Sequence, residues 1–383
     1  MIEPAYLPLA PGPRLRPSPF FDSTRRYGCN AYTVYNHMLL PLYYESPEAD
    51  FWRLVNDVTL WDVAGERQVE ITGPDAARLT QLLTPRNISG CEVGQCKYVL
   101  ITAEDGGVIN DPLLLKLAES HYWLSLADSD VLLWAKGVAA FAGMNVRIRE
   151  PDVSPLQIQG PKSLNVMTSV FGDWVRELEY FRFRQLDHDG MPLVISRTGW
   201  SGERGYEIFL RDGSFGDTLW ERVMEAGRAH GIGPGGPSTI RRIEAAMLSY
   251  GADMTLEENP FEIGLGRLVS LDQPADFIGK PALRKIAEKG VSRRLVGVEI
   301  DGEPLSPNRR FWPVLDGEGR WIGRISSSVW SPRLKKNIAL GMVKVGHERV
   351  GTKVEVDADG TIRVATVVET PFHDPGKEIV KAR

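Results

Sequence analysis

A switch between two hydrophobic periods, repeated between residues 67 and 149, constrains the fold of this chain more than any other feature. Alternation of polar and apolar residues is typical of half-buried strands, and a spacing of three to four is typical of helices. The predicted elements, in order, are a strand over 67–71, a helix opened by residues 73–75, a hairpin of strands 96–103 and 108–117 around the turn 104–107, a strand over 122–126, a helix over 131–141 and a strand over 145–149. This order predicts a split βαβ, ferredoxin-like unit with one extra strand.

At 383 residues the chain is too long for one hydrophobic core of ordinary size, so several domains are expected. Residues 155–272 mix strand and helix periods and include a predicted helix over 239–250. From residue 294 onward the sequence is almost all strand and turn, with strands predicted over 295–300, 320–326, 338–345 and 361–368. This pattern predicts a small closed β unit, which the charged segment 281–294 would link to the body of the protein.

Charge and composition disfavour several classes of function. The formal net charge of −5 argues against a nucleic-acid or anionic-membrane partner, because both favour a basic surface. No apolar run reaches the roughly 18 residues of a membrane span. The three cysteines form no CxxC pair and the six histidines form no HExxH motif, so neither a disulfide framework nor a metal site is expected. A cytoplasmic globular protein is the expected class.

Asn110 and Asp111 interrupt an apolar strand shortly after the predicted hairpin turn. Polar side chains at such a place are costly to bury unless they are paired, so they are often part of a binding site. An Asx-turn, or a strand end before Pro112, accounts for the same residues equally well. The residues alone leave both interpretations open.

Three further groups are candidates for ligand binding, each with a structural alternative. Glu207, on a strand that follows three glycines around Trp200, could accept two N–H bonds from a heterocycle such as a pterin, or lie on a solvated strand face. Arg242 could clamp a ligand carboxylate or form an ion pair with Glu244. Aromatic residues are dense between positions 32 and 61, which is more typical of a core than of a cage for a cation.

Several segments resemble, in the same order, motifs of the glycine-cleavage T-protein (aminomethyltransferase) superfamily of folate enzymes. They are residues 107–111 (GG-(V/I)-(I/L)-D-D in the family), 200–207 (TGE-x-GYE), 242–245 with 250–251 (RLEAG and LYG), and 277–283 with 295–298 at the start of the C-terminal barrel. The resemblance implies an α+β fold of three domains arranged like a cloverleaf, with folate in a central channel. The implied domains are a folate-binding core of residues 1–63 and 152–278, a ferredoxin-like domain of residues 64–151 and a C-terminal β-barrel of residues 279–383.

The family also implies roles for single residues. Asp111 and Glu207 match positions that hold the pterin, and Asp111 is the one implied catalytic residue, which orients the folate rather than abstracting a proton. Arg242 matches a residue that binds the folate tail. The implied tetrahydrofolate contacts are Tyr98, Asp111, Gln159, Trp200, Glu207 and Arg242, and the implied contacts of the methyl donor are Tyr35, His37, Trp200 and Phe209.

Within the superfamily, the chain is similar to the dimethylsulfoniopropionate demethylase branch at residues 31–41, 61–63, 66–69, 109–112 and 248–251. This resemblance implies a tetrahydrofolate-dependent demethylase that takes a methyl group from a small cationic sulfonium compound, with dimethylsulfoniopropionate as the first choice. Asn110 replaces the first aspartate of the T-protein motif, which argues against ordinary glycine cleavage.

Two alternatives to this function stay open. Residues 199–209 and 235–238 depart from the branch near the presumed pocket, so an N-methyl or betaine donor is the first alternative. A non-catalytic folate-binding scaffold is the second, although residues 258–264 lack the K-G-C-Y motif of such members. The family also leaves room for a homodimer.

Overall fold

The computed structural model describes residues 12–382. Its strands are β1 (Ala31–Tyr35), β2 (Met38–Tyr43), β3 (Val58–Asp62), β4 (Gln68–Thr72), β5 (Cys96–Tyr98), β6 (Ile101–Thr102), β7 (Val108–Asn110), β8 (Leu113–Ala118), β9 (His121–Ser125), β10 (Arg147–Arg149), β11 (Ser154–Gln159), β12 (Phe183–His188), β13 (Met191–Ser196), β14 (Gly205–Leu210), β15 (Ile232–Gly235), β16 (Arg293–Ile300), β17 (Trp312–Leu315), β18 (Trp321–Ser331), β19 (Lys336–Lys344), β20 (Lys353–Ala358) and β21 (Thr361–Val368). Its α-helices are α1 (Phe21–Arg26), α2 (Pro47–Asn56), α3 (Ala76–Leu83), α4 (Val131–Phe141), α5 (Ser163–Phe171), α6 (Gly216–Gly227), α7 (Thr239–Glu244), α8 (Lys280–Lys289) and α9 (Glu378–Lys381).

A six-stranded sheet of order β12-β13-β14-β11-β3-β15 forms the centre of the molecule. Strand β14 is buried at all six positions because both faces of the sheet are covered. On one face, Tyr206 and Ile208 pack with Val166 of α5 and Trp220 of α6. The opposite face meets the five-stranded sheet described next. Side chains of β14 therefore alternate between two different cores.

The five-stranded sheet has the order β10-β4-β9-β8-β5, and α3 and α4 pack against it. The first four strands have the order of a ferredoxin-like unit, and the predicted ferredoxin-like unit is confirmed. The extra strand is β5. The predicted long hairpin is split, because β5 pairs with β8 whereas β6 and β7 pair only with each other. Pro112 interrupts the second strand, since a proline has no N–H to donate to a ladder.

The C-terminal strands close into a barrel of order β16-β19-β18-β17-β20-β21, so the predicted closed β unit is confirmed. All four predicted strands are present, and β17 and β20 were not predicted. Val354 and Val356 of β20 are buried in the barrel core, while charged residues alternate with them. The predicted link over 281–294 is largely helical, since α8 spans Lys280–Lys289.

The predicted helix over 239–250 is too long, because α7 ends at Glu244. Ala246 has a left-handed backbone with φ of 51°, which a helix cannot continue. Met247 N instead donates to Arg242 O at 2.8 Å, and Ser249 N donates to the Asp253 carboxylate at 2.9 Å. The segment after α7 is thus folded back over Arg242.

No helix among residues 12–382 has the length and apolar character needed to cross a bilayer. Residues 1–11 of the predicted first domain lie outside the described part of the chain. The division into three domains stays a prediction. Strand β3 pairs with β11 and β15, which accords with a core assembled from two separate segments of the sequence.

Candidate active site

Three neighbouring strands place polar side chains on the face of the central sheet that looks away from α5 and α6. The register sets Gln157 opposite Glu207 and Glu207 opposite Ser196. Gln157 Nε2 donates to Glu207 Oε1 at 2.9 Å, and the Thr198 hydroxyl donates to Glu207 Oε2. Glu207 is 3% exposed, so the alternative of a solvated strand face is wrong. A buried carboxylate held by neutral donors marks a functional position rather than a solvent-facing one.

The loop between β13 and β14 is packed directly on Gln159. An added Cβ would lie 2.2 Å from Gln159 Nε2 at Gly199 and 2.1 Å from Gln159 Oε1 at Gly205, so a larger residue at either position would have to displace the Gln159 amide. Ser201 Oγ donates to Gln159 Oε1 at 2.6 Å. The glycines of this motif therefore let the loop lie flat against the sheet, and Gln159 holds it there.

Asp111 follows β7 at the break before Pro112, and Tyr98 ends β5. Tyr98 Oη donates to Asp111 Oδ2 at 2.8 Å. Asp111 Oδ1 is buried and has no hydrogen-bond partner within residues 12–382. Burial raises the pKa of Asp111 to about 7, and burial and Asp111 raise the pKa of Tyr98 well above its usual range. An unpaired buried acceptor of this kind points to a ligand that donates an N–H or O–H group.

Asn110, next to Asp111, has a structural role. Its amide donates to Ala127 O at 3.0 Å and to Ser129 Oγ at 2.8 Å, and its Oδ1 accepts from Ala127 N at 3.1 Å. Asn110 is 0% exposed. The two interpretations left open by the sequence thus apply to different residues, since Asn110 anchors the strand end and Asp111 faces the site.

Glu66, between β3 and β4, adds a third carboxyl to the cluster. Gln157 Nε2, which donates to Glu207, also reaches Glu66 Oε1 at 3.4 Å. Burial, and then the nearby Glu207 and Asp111, raise the pKa of Glu66 well above its usual range. Burial also raises the pKa of Glu207, although its bonds with Thr198 and Gln157 oppose this. The donors to the three carboxyls are neutral, so the cluster favours a ligand with N–H groups or positive charge.

Two half-buried aromatic residues border the carboxyl cluster. Burial raises the pKa of the Tyr35 hydroxyl, and the next largest cause is the charge of Glu66. Trp200 N lies 3.5 Å from Gln157 Oε1, which places its backbone at the other end of the same amide. His37 is exposed in the turn between β1 and β2, and its backbone oxygen accepts from Arg16 N. The Tyr35 side chain and the Trp200 backbone therefore lie near the carboxyl cluster, whereas His37 is at the surface. The contacts of all three with a methyl donor stay predictions.

Two residues predicted as ligand contacts have side chains that are fully enclosed by protein. Phe209 is 0% exposed in the core between the two sheets, and its ring centroid lies 6.2 Å from that of Trp123. Gln159 is also 0% exposed, with its amide engaged by the glycine loop. Phe209 thus packs in the core between the two sheets, and Gln159 positions the glycine loop. Their contacts with the methyl donor and with folate stay predictions.

The predicted tail contact, Arg242, is 6% exposed and already paired. Its Nη1 lies 2.6 Å from Asp253 Oδ2, and its Nη2 donates to Ser327 Oγ at 2.7 Å. Glu244 pairs with Arg333 instead. Arg242 therefore forms an ion pair within the protein, but its partner is Asp253 and not the predicted Glu244. A tail-binding role for Arg242 stays a prediction.

Sequence reasoning missed Glu66, Gln157 and Thr198 as site residues. Gln157 had a readable signal, because polar residues alternate with Leu156 and Ile158 on a strand that is buried throughout. Such a strand has a polar side that must be satisfied inside the protein.

A surface cavity of about 470 Å³, lined by residues such as Tyr44 and Arg53, contains none of the cluster residues.

Comparison with known proteins assigns the chain. A model of the GCVT N-terminal domain matches residues 20–273, and a model of the glycine cleavage T-protein C-terminal barrel domain matches residues 293–374. The chain belongs to this family. Its resemblance to the T-protein superfamily, predicted from the motifs, is confirmed.

Two relatives of the chain are named as different enzymes, a demethylase and an aminomethyltransferase. The chain is 43% identical over 359 residues to dimethylsulfoniopropionate demethylase of Ruegeria pomeroyi, covering 94% of this chain and 98% of the relative. It is 31% identical over 369 residues to an aminomethyltransferase of Bacillus mycoides, covering 95% and 99%. The glycine cleavage system aminomethyltransferase T from Bartonella henselae has the same fold, with a TM-score of 0.85, 23% identity, and coverage of 93% and 98%.

Proposed function

We propose that this protein is a tetrahydrofolate-dependent demethylase that transfers a methyl group from a small sulfonium compound, with dimethylsulfoniopropionate as the first choice. The observation that carries this proposal is that Asp111, Glu207 and Glu66, three carboxyls with neutral partners, lie near one another. Tyr35 and the backbone of Trp200 lie close to this cluster. Family membership supports the folate, and 43% identity to a dimethylsulfoniopropionate demethylase supports the donor.

The residues present fit a reduced pterin. Asp111 Oδ1 is a buried acceptor without a partner among residues 12–382, and a pterin edge offers N–H donors of matching polarity. Glu207 would accept a second set of N–H bonds, and hydrogen bonds to a carboxylate are stronger than those between neutral groups. Tyr98, fixed through its bond with Asp111, would border the ring. Gln157 would keep Glu207 in place from the neighbouring strand.

When bound, tetrahydrofolate supplies N5, a neutral amine nitrogen that accepts the methyl group. Methyl transfer would break the bond between the methyl carbon and the donor sulfur, release a neutral thioether, and release the proton of the N5–H group to solvent. A strong base is therefore unnecessary, and the contribution of the protein would be alignment, worth up to about 7–11 kcal/mol in favourable cases. Asp111 and Glu207 orient the acceptor. Tyr35 and Trp200 would hold the cationic donor at about 0.5–2 kcal/mol per contact.

A methyl donor with nitrogen in place of sulfur is the second candidate, and one observation favours it. The departures at residues 199–209 lie in the loop that carries Trp200 and in the start of β14, so the sequence around this proposed donor contact differs from that of the sulfonium branch. A folate-binding scaffold without turnover is the third candidate. A cytoplasmic location and a homodimer remain predictions.

The test combines binding and turnover. The purified protein would be titrated with tetrahydrofolate by calorimetry, then incubated with it and with dimethylsulfoniopropionate, glycine betaine or dimethylglycine in turn, and the folate product would be identified by mass spectrometry. We expect 5-methyltetrahydrofolate from the sulfonium donor. Product only from an N-methyl donor would favour the second candidate, binding without any product would favour the scaffold, and no binding would refute the proposal.

A further inference from the structure

Glu66 is held on a rigid frame outside the strands that carry Gln157 and Glu207. Glu66 N donates to Val63 O at 2.8 Å, and Gly65 O accepts from Asn36 Nδ2 at 3.0 Å. An added Cβ at Gly65 would lie 3.3 Å from the backbone oxygen of Tyr35, so the glycine allows Tyr35 to pack against this segment. The geometry thus fixes a carboxyl next to the aromatic ring that borders the site.

The three carboxyls of the site differ in how firmly they are engaged. Asp111 accepts from Tyr98 at 2.8 Å, and Glu207 accepts from Gln157 at 2.9 Å and from Thr198. Glu66 has the weakest of these bonds, the contact of 3.4 Å with Gln157 Nε2. Hydrogen bonds weaken beyond the usual range of about 2.7–3.2 Å. Glu66 is therefore the carboxyl with the most capacity left for a ligand.

Two carboxylates on one neutral amide donor are unfavourable unless one of them carries a proton or a cation joins them. The titratable groups that face Glu66 are Glu207, Asp111 and Tyr35, none of which brings a positive charge. A sulfonium or quaternary ammonium group has no N–H or O–H, so it is recognised through charge and aromatic faces alone. The missing positive charge and the aromatic neighbour match this chemistry.

We infer that Glu66 is the residue that makes the site select a positively charged methyl donor, by facing the onium group from beside the Tyr35 ring. This inference rests on the proposed function and assigns the donor's half of the same site. Because Gln157 Nε2 contacts both Glu66 and Glu207, entry of the cation beside Glu66 should release a proton to solvent. Glu66 would then act on the donor, whereas Asp111 and Glu207 act on the folate.

The test compares cations with neutral molecules of the same shape. Dimethylsulfoniopropionate is paired with 4-methylpentanoate, and glycine betaine with 3,3-dimethylbutanoate, since each pair differs only in carbon for the charged atom. Binding is measured on the folate-free protein, in which no methyl transfer can occur. We expect the wild-type protein to bind the cationic donor at least about tenfold more tightly than the carbon analogue of that donor, equivalent to about 1.4 kcal/mol. Glu66→Gln should reduce this preference to less than about twofold.

Two further measurements separate this role from a structural one. Calorimetry in buffers of different ionisation enthalpy should detect proton release when the cation binds the wild-type protein and none with Glu66→Gln. Tetrahydrofolate affinity should stay within about threefold in the variant. Glu119→Gln, which alters an exposed glutamate, is the matched control and should behave as wild type in all assays. If Glu66→Gln does not fold, Glu66→Asp, which withdraws the carboxyl by one methylene, should still lower the preference several-fold.

Retention of the cation preference by a folded Glu66 variant would overturn this inference. The proposed function fails in a different way, through absence of tetrahydrofolate binding or of methyl transfer by the wild-type protein. A variant that loses cation preference and folate affinity equally would also overturn the assignment, because Glu66 would then support the whole site.

Discussion

Replacing Asp111 with asparagine should make the protein more stable at high pH while weakening folate binding. Burial raises the pKa of Asp111 from 3.8 to about 7. Below pH 3.8 this carboxyl is protonated in the folded and unfolded chain alike, so it costs nothing. As the pH rises from 3.8 to 7, the folded chain retains a proton that the unfolded chain has released, and stability falls. Above pH 7 the cost is complete. A difference of about three pH units, at about 1.4 kcal/mol each, amounts to about 4 kcal/mol.

Asparagine keeps an oxygen that can accept the bond from Tyr98, and it does not titrate. In urea unfolding at pH 8, the free energy of unfolding of Asp111→Asn should therefore exceed that of wild type by up to about 4 kcal/mol. At pH 4 this difference should be nearly gone. Asp189→Asn, at an exposed aspartate, is the control and should show no such trend. A difference between Asp111→Asn and wild type that does not change with pH would refute the assignment of a raised pKa to this carboxyl.

The same substitution should reduce tetrahydrofolate affinity at least about tenfold. The buried Oδ1 of Asp111, which lacks a partner in the described part of the chain, would be replaced by an amide NH2 group that cannot accept from a pterin N–H. Calorimetric titration of the two proteins at pH 8 measures this directly. Equal affinities would mean that Asp111 does not touch the folate, whatever its effect on stability.

Three other substitutions test the positions of Phe209, Arg242 and the loop on Gln159. Phe209→Ala should lower the free energy of unfolding by about 3–5 kcal/mol through a cavity in the core between the two sheets, while the KM for the methyl donor stays within about twofold. A much larger KM in a stable variant would support the predicted contact of Phe209 with the donor. Arg242→Met should lower the free energy of unfolding by about 3–5 kcal/mol, because Asp253 would be left unpaired. The double variant with Asp253→Asn should recover part of this loss in urea unfolding. A lack of recovery would contradict the ion pair. Gly205→Ala should displace the loop packed on Gln159 and lower folate affinity about tenfold by calorimetry, whereas normal affinity would show that the contact of 2.1 Å is easily relieved.

Local patterns were sufficient where an element's periodicity was not overruled by tertiary contacts. The helix predicted over 131–141 has the bounds Val131–Phe141 in the structure, and the strand predicted over 361–368 is β21. The helix predicted over 239–250 ends early because tertiary bonds replace the helical ones after Glu244. Met247 N donates to Arg242 O, and Ser249 N donates to the Asp253 carboxylate. Strand β20 was missed although its apolar residues alternate, because charged residues occupy the exposed barrel face.

Within the site, the motifs identified the residues whose chemistry is unusual for their local surroundings. Asp111 in an apolar run and Glu207 after a glycine-rich loop were both visible in this way. Glu66 was not, because nothing within the sequence near residue 66 reveals that it lies against Gln157. That contact depends on the pairing of β3 with β11, two strands that are about a hundred residues apart.

The sequence by itself determined the ferredoxin-like unit and the barrel, because periodicity and turn residues act over short distances along the chain. The family followed from the resemblance of its polar motifs to those of known members. Only the tertiary structure decided which polar groups meet. It placed Asn110 in a scaffold and Asp111 in the site, enclosed Phe209, and paired Arg242 with Asp253. The physical reason is that burial and hydrogen-bond partners are set by which strands lie side by side, and strand order is a property of the whole chain.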